Sequence, residues 1–243
     1  MMILALESSA PACSAALCRD GELIAQFYQN SGLTHSRTLL PMVRSMLDSC
    51  GMALKDVDVV AVAAGPGSFT GLRIGVATAK GLAWPGDVDC APCSTLESMA
   101  WPLAHMEGKV IVCAMDARRG QVYNALFLAR EGGLERMTPD RAVSLEDLGE
   151  ELKKYENSKI VVGDGAKLCY NVLTEQGITL ELAPRHLRMQ SAWGVARAAE
   201  ELAAQGALVK GRELIPVYHR LSQAERERLA REKITNEGDH NNV

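Results

Sequence analysis

The chain has 243 residues, 47% of them apolar and 23% charged, which excludes a disordered, collagen-like or coiled-coil protein and leaves room for one large domain or two lobes. Its 26 Lys and Arg stand against 30 Asp and Glu, a net charge of -4, too balanced for a nucleic-acid binder that works through its overall field. Seven cysteines, odd in number and scattered through apolar segments, do not make a secreted disulfide framework and fit a reducing cytoplasm.

Residues 2–6 read as a buried strand, residues 13–18 as a second and 22–28 as a third, with Asp20-Gly21 turning between the last two. The stretch from Met1 to Ala10 has no basic flank and its apolar run stops at Glu7, so it is not a signal peptide. No run approaches the roughly eighteen apolar residues of a membrane span. Helical periodicity marks 34–50, 70–84, 144–155, 166–176 and 191–205. Strands are expected near 57–63, 121–128 and 159–162.

The order repeats. Val112-Cys113-Ala114-Met115-Asp116 echoes Ile3-Leu4-Ala5-Leu6-Glu7, Glu131-Gly132-Gly133 echoes Asp20-Gly21, and Gly163-Asp164-Gly165 echoes Gly65-Pro66-Gly67. The pattern predicts an α/β protein duplicated from a βββαβα unit, with one lobe at 1–109, a second at 110–220 and a cleft between them. Residues 221–243, rich in Arg, Lys, Glu and Asn, read as a solvated, partly disordered tail. Arg220, Arg226, Arg228, Arg231 and Lys233 offer phosphate contacts within a complex, against the plainer reading of a charged solvated face.

The most informative stretch runs from Ala63 to Gly75 and joins an apolar strand to a helix capped by Ser68 or Thr70. Its glycines let backbone amides approach an anion, although a tight strand-to-helix turn without a ligand has the same sequence. In the helix, Gly71, Gly75, Thr78, Ala79 and Leu82 share one face and form a small-residue groove, suited to the protein's own sheet or to a partner helix.

Together with Glu7-Ser8-Ser9, His35-Ser36 before Leu39-Leu40-Pro41, Asp116-Ala117-Arg118-Arg119, and Pro216-Val217-Tyr218 with Arg220, this segment resembles the bacterial TsaB family, also called YeaZ. The resemblance covers the chain to about residue 220. It implies a duplicated actin-like, Hsp70-like ATPase fold of the ribonuclease H-like class. It also implies a role in making threonylcarbamoyladenosine beside the tRNA anticodon, as a non-catalytic subunit that binds and activates a TsaD paralogue, with the ATPase TsaE joining and tRNA met only within that complex. The paralogue's metal-binding His pair falls, by spacing, on Thr95 and Met99, neither a ligand for a hard metal. Glu7-Ser8-Ser9 and Asp116-Ala117-Arg118 lack the glycine of active phosphate hairpins, so no cofactor is expected beyond weak ATP or ADP binding at Ser8, Gly65, Gly67, Ser68 and Arg118, without turnover. A small-molecule kinase and a glycoprotease-like hydrolase of the same fold are the alternatives.

Cys90-Ala91-Pro92-Cys93 has redox or half-zinc spacing but no second ligand pair, which favours incidental buried thiols. His35 invites a base role toward Ser36 or Ser68, yet no Gly-x-Ser-x-Gly elbow accompanies it and the helical projection sets it beside Met42 and Met46. Asp116 reads as a turn former. On helix 34–50, Leu39, Leu40, Met42, Val43, Met46, Leu47 and Cys50 span an arc of roughly 160°, wider than the stripe of about 100° that one core contact needs. A partner surface is therefore expected at Leu39, Met42, Val43, Met46, Gly71, Gly75 and Ala79, which an isolated chain would cover by homodimerising.

Overall fold

The computed structural model describes residues 1–219; Arg220 and the expected tail lie outside the described residues. The first half opens as a meander of β1 (Met2–Glu7), β2 (Cys13–Arg19) and β3 (Glu22–Gln29), followed by α1 (His35–Ser49), β4 (Val59–Gly65), α2 (Phe69–Ala83), β5 (Asp89–Ser94) and the short α3 (Thr95–Ala100). The second half runs β6 (Val110–Asp116), β7 (Gln121–Arg130), β8 (Gly133–Arg136), β9 (Arg141–Ser144), α4 (Leu145–Leu152), β10 (Lys159–Val162), α5 (Ala166–Glu175), β11 (Glu181–Leu182), α6 (Ala192–Ala204) and β12 (Val209–Lys210).

The two sheets repeat one order, β5-β4-β1-β2-β3 in the first and β11-β10-β6-β7-β8 in the second. In each, the leading strand pairs antiparallel with its hairpin partner and parallel with the strand that follows the first long helix. This is the duplicated two-lobed α/β fold of the actin-like class. The central strands β1, β4, β6 and β10 are buried along their whole described length except Asp116, as parallel strands covered on both faces require.

Alternation along β1 sorts the core. Met2, Leu4 and Leu6 face α1 and α2, whereas Ile3 and Ala5 face α6. The second sheet does the same, with Val110, Val112 and Ala114 toward α4 and α5 and Ile111, Cys113 and Met115 toward α3. The last helix of each half thus covers the other half's sheet. The boundary at 109/110 is corrected accordingly. Residues 192–210, grouped with the second lobe on the sequence, return to the first, where β12 extends the sheet beside β5 and the small residues Ala192, Ala196 and Ala199 seat α6 closely against the strands. Strand β9, which pairs with β7, and helix α3 have no counterpart among the expected elements.

The expected partner surface is also corrected. Leu39, Val43, Met46 and Ala79 are buried and Met42 is nearly so, all in one core with β1, β2 and β4. The wide arc of α1 is filled from inside its own lobe, by the sheet on one flank and α2 on the other. Gly71 and Gly75 press on the first hairpin: a Cβ at Gly71 would lie 2.1 Å from the Ser8 carbonyl oxygen, and one at Gly75 would lie 2.5 Å from Ser8 Oγ.

Candidate functional site

The C-terminal ends of β1, β4, β6 and β10 converge, and ligands of open α/β sheets bind beyond such ends. The turns leaving them enclose a cleft of about 670 Å³ between the halves, lined among others by Ser9, His35, Ser68, Asp116, Arg118 and Asp164.

Each half builds its wall in the same way. At the end of β1 the Ser9 amide donates to Glu7 Oε1 at 2.6 Å; at the end of β6 the Arg118 amide donates to Asp116 Oδ1 at 2.6 Å. Asp116 therefore forms the turn that its sequence context suggests. A glycine then admits the opposing hairpin closely: a Cβ on Gly67 would meet the Ser9 carbonyl oxygen at 2.6 Å, and one on Gly165 would meet the Asp116 nitrogen at 2.9 Å. The second hairpin differs in holding Arg118 and Arg119 at positive φ, 63° and 57°, a left-handed geometry that glycine takes more readily.

Of the expected anion contacts, Gly67, Ser68 and Arg118 line the cleft. Ser8 and Gly65 do not. The Ser8 hydroxyl donates to the Gly71 carbonyl at 2.9 Å, so it ties the hairpin to α2. Gly65 is covered by the C-terminal segment, since its Cβ would fall 2.2 Å from the Val217 carbonyl oxygen and the Val217 amide donates to the Ala64 carbonyl. Ser68 caps α2 by accepting from the Gly71 amide at 3.3 Å.

His35 Nε2 lies 2.7 Å from the Ala10 carbonyl oxygen and therefore carries the proton of that hydrogen bond, which leaves Nδ1 as a buried acceptor with no partner among the described residues. Its hydrogen bond goes to a main-chain carbonyl, not to a serine, so the base-to-nucleophile contact of a hydrolase is not formed. Thr95 and Met99 are buried on α3, with the Met99 sulfur against the Gly163 turn; they pack and do not ligate. Cys90 and Cys93 face opposite sides of β5, one toward α1 and α2 and one toward α6. Burial pushes the Cys90 thiol up to about 11 and Cys93 further still, so these are inert thiols.

Three features escaped the sequence reading. Glu7 is fully buried, and burial pushes its carboxyl up to about 7 against the lowering contacts of Ser9. Asp164 is also raised by burial, and Gln190 Nε2 donates to its Oδ1 at 2.8 Å. At the mouth, the Tyr218 ring stacks on Phe69 at 4.7 Å, Arg73 covers Phe69 at 3.9 Å, and Arg73 Nε donates to the Tyr218 hydroxyl at 3.1 Å. The Pro216-Val217-Tyr218 and Gly65-to-Gly75 segments are one structural unit.

The protein named tRNA threonylcarbamoyladenosine biosynthesis protein TsaB of Bacillus subtilis (strain 168) is 35% identical over 229 residues, spanning 93% of this chain and 96% of the relative. The chain belongs to the TsaB family. Its likeness to the protein of the same name from Escherichia coli (strain K12) is 32% over 222 residues, 90% of this chain and 95% of that one. A family model described as TsaD, tRNA N6-adenosine threonylcarbamoyltransferase, matches residues 29–227. A crystal structure from Pseudomonas aeruginosa, described as an uncharacterized protein with similarity to peptidase YEAZ, superposes with a TM-score of 0.78 at 28% identity, covering 90% of this chain and 99% of the other. Among the described residues no helix is long and apolar enough to cross a membrane, and no group of three or more His, Cys, Asp or Glu is arranged to hold a metal ion.

Proposed function

We propose that the chain works in tRNA threonylcarbamoyladenosine biosynthesis, in the cytoplasm, as a non-catalytic subunit that binds and activates a TsaD-like transferase, with a TsaE-like ATPase joining and tRNA contacted within that assembly. The observation that carries the non-catalytic role is the identity of the residues on α3: the positions assigned to the paralogue's metal pair hold Thr95 and Met99, both packed in the core. Kinship over 93% of the chain to a protein named for this pathway supplies the pathway. Nucleotide binds weakly at Gly67, Ser68 and Arg118 and is not turned over, since the Arg118 hairpin lacks the glycine that would bring its backbone onto a phosphate.

The partner sits on the outward faces of α1 and α2, the same helices as first expected but not the same residues. Leu40 is 53% exposed and Trp84, at the end of α2, is 81% exposed. Between the turns of α2, Ala77 is exposed and Gly81 has open space above it, so a second helix can approach its backbone. A paralogue of the same fold presents a matching pair of helices, and an isolated chain covers the face with a second copy.

The test is co-expression with the TsaD-like paralogue from the same cell. Gly81→Arg and Trp84→Asp change only exposed positions, so both variants should melt like the parent yet lose the complex on size exclusion and lose threonylcarbamoyl transfer in the reconstituted system. Normal complex formation by both variants places the interface elsewhere; transfer by the isolated chain defeats the non-catalytic reading.

A further inference from the structure

At the floor of the cleft, three segments far apart in sequence meet: the end of β1, the turn after β10 and the stretch before α6. Glu7 and Gln190 are wholly buried and Ser9 is 1% exposed. Glu7 Oε1 is used by the Ser9 amide, while Oε2 has no partner. The Gln190 amide nitrogen is spent on Asp164, which fixes the orientation of the amide and leaves Oε1 as a buried acceptor, also without a partner. The Ser9 hydroxyl is the third such oxygen. Ser9 and Asp164 line the cleft, so the group opens to it, and the Glu7 and Asp164 carboxylates are near enough to repel one another.

Other shielded acids of the molecule have cations. Glu97 and Asp140 share Arg136, and Glu151 takes Arg141. Glu7 and Asp164 form no ion pair among the described residues. Two carboxylates, an amide oxygen and a hydroxyl, all without a proton to donate except the hydroxyl, are a set of oxygen donors that lacks only positive charge. Oxygen ligands of this kind, completed by water from an open side, suit a hard cation and not a soft one.

We propose that this cluster is a binding site for a divalent cation of the oxygen-liganded class, Mg²⁺ or Ca²⁺, held by Glu7, Asp164 and Gln190 with Ser9 at the rim. The ion cancels the repulsion across the junction of the two halves and ties β1 to the turn after β10. It needs neither nucleotide nor partner, so the site stands or falls apart from the subunit reading above.

The experiment uses the purified full chain, freed of divalent ions by chelation and desalting, titrated with MgCl₂ or CaCl₂ by calorimetry and by thermal melt. One saturable site per chain and a saturable rise in melting temperature are expected, with no such rise in choline chloride at matched ionic strength. Glu7→Gln should weaken binding at least about tenfold and remove the cation-dependent rise. Asp164→Asn, at the edge of the cleft, should do the same and carries the test if the Glu7 variant does not fold. Absence of saturable binding, an equal rise in choline chloride, or unchanged binding in the folded variants overturns the proposal.

Discussion

Glu7 shows how one carboxyl can work against the fold that buries it. Its pKa rises from an ordinary 4.5 to about 7, chiefly because burial penalises the charged form. A carboxyl with a raised folded-state pKa favours the native state only while protonated, so its contribution is complete below the unfolded value and is lost as pH climbs through the folded one. The window runs from about pH 4.5 to about pH 7, and the shift corresponds to about 3 kcal/mol at full extent. In buffer free of divalent ions, the urea-unfolding stability of the parent should therefore fall across that window more steeply than that of Glu7→Gln, and the variant should be the more stable protein at pH 8. Parallel pH profiles would refute the burial account.

At the scale of an element, α2 holds three glycines for two different reasons. A glycine in a helix interior costs about 1 kcal/mol relative to alanine. Gly71 repays that cost, because the helix approaches the first hairpin so closely that a Cβ would collide with the Ser8 backbone at 2.1 Å. Gly81 has open space around it. The same substitution should then have opposite signs ten residues apart: Gly71→Ala loses about 2–3 kcal/mol by overpacking, whereas Gly81→Ala gains roughly 0.5–1 kcal/mol. Urea midpoints of the two variants decide it, and a loss at both positions would mean that Gly81 is constrained by something other than helix propensity.

Elements also show where sequence was informative. The buried strands β1, β4, β6 and β10 and the long helices are legible because their apolar periodicity is local, and the Glu7 and Asp116 turns because the repeat sets them side by side. What was misread depended on neighbours. The broad arc of α1 looked like surplus surface, but a helix lodged between a sheet and another helix needs two apolar flanks, and Leu39, Met42, Val43 and Met46 supply them. Gln190 and Tyr218 carry no local signal at all, since their partners Asp164 and Arg73 are brought to them only by the tertiary fold.

For the whole molecule, the exchange of terminal helices sets how the chain can fold. Helix α3 leaves the first half and packs Leu96, Met99 and Ala100 beside Ile111 and Phe127 of the second sheet. Helix α6 leaves the second half and covers Ile3, Ala5, Ala61 and Ala63 of the first, its leading amide at Ala192 held by Ser14 Oγ of β2 at 2.9 Å. Although each sheet has its own strand order, neither half owns both of its covering layers. A fragment of residues 1–109 would expose one full face of its central strands to water and leave α3 with no sheet to sit on. Domains need such faces covered to gain the burial that offsets chain entropy. The fragment should therefore show no cooperative thermal transition and should bind a hydrophobic dye such as anilinonaphthalene sulfonate, while the full chain melts in a single step. A cooperatively folded fragment with dispersed amide resonances would show that the first lobe is autonomous and that α6 only decorates it.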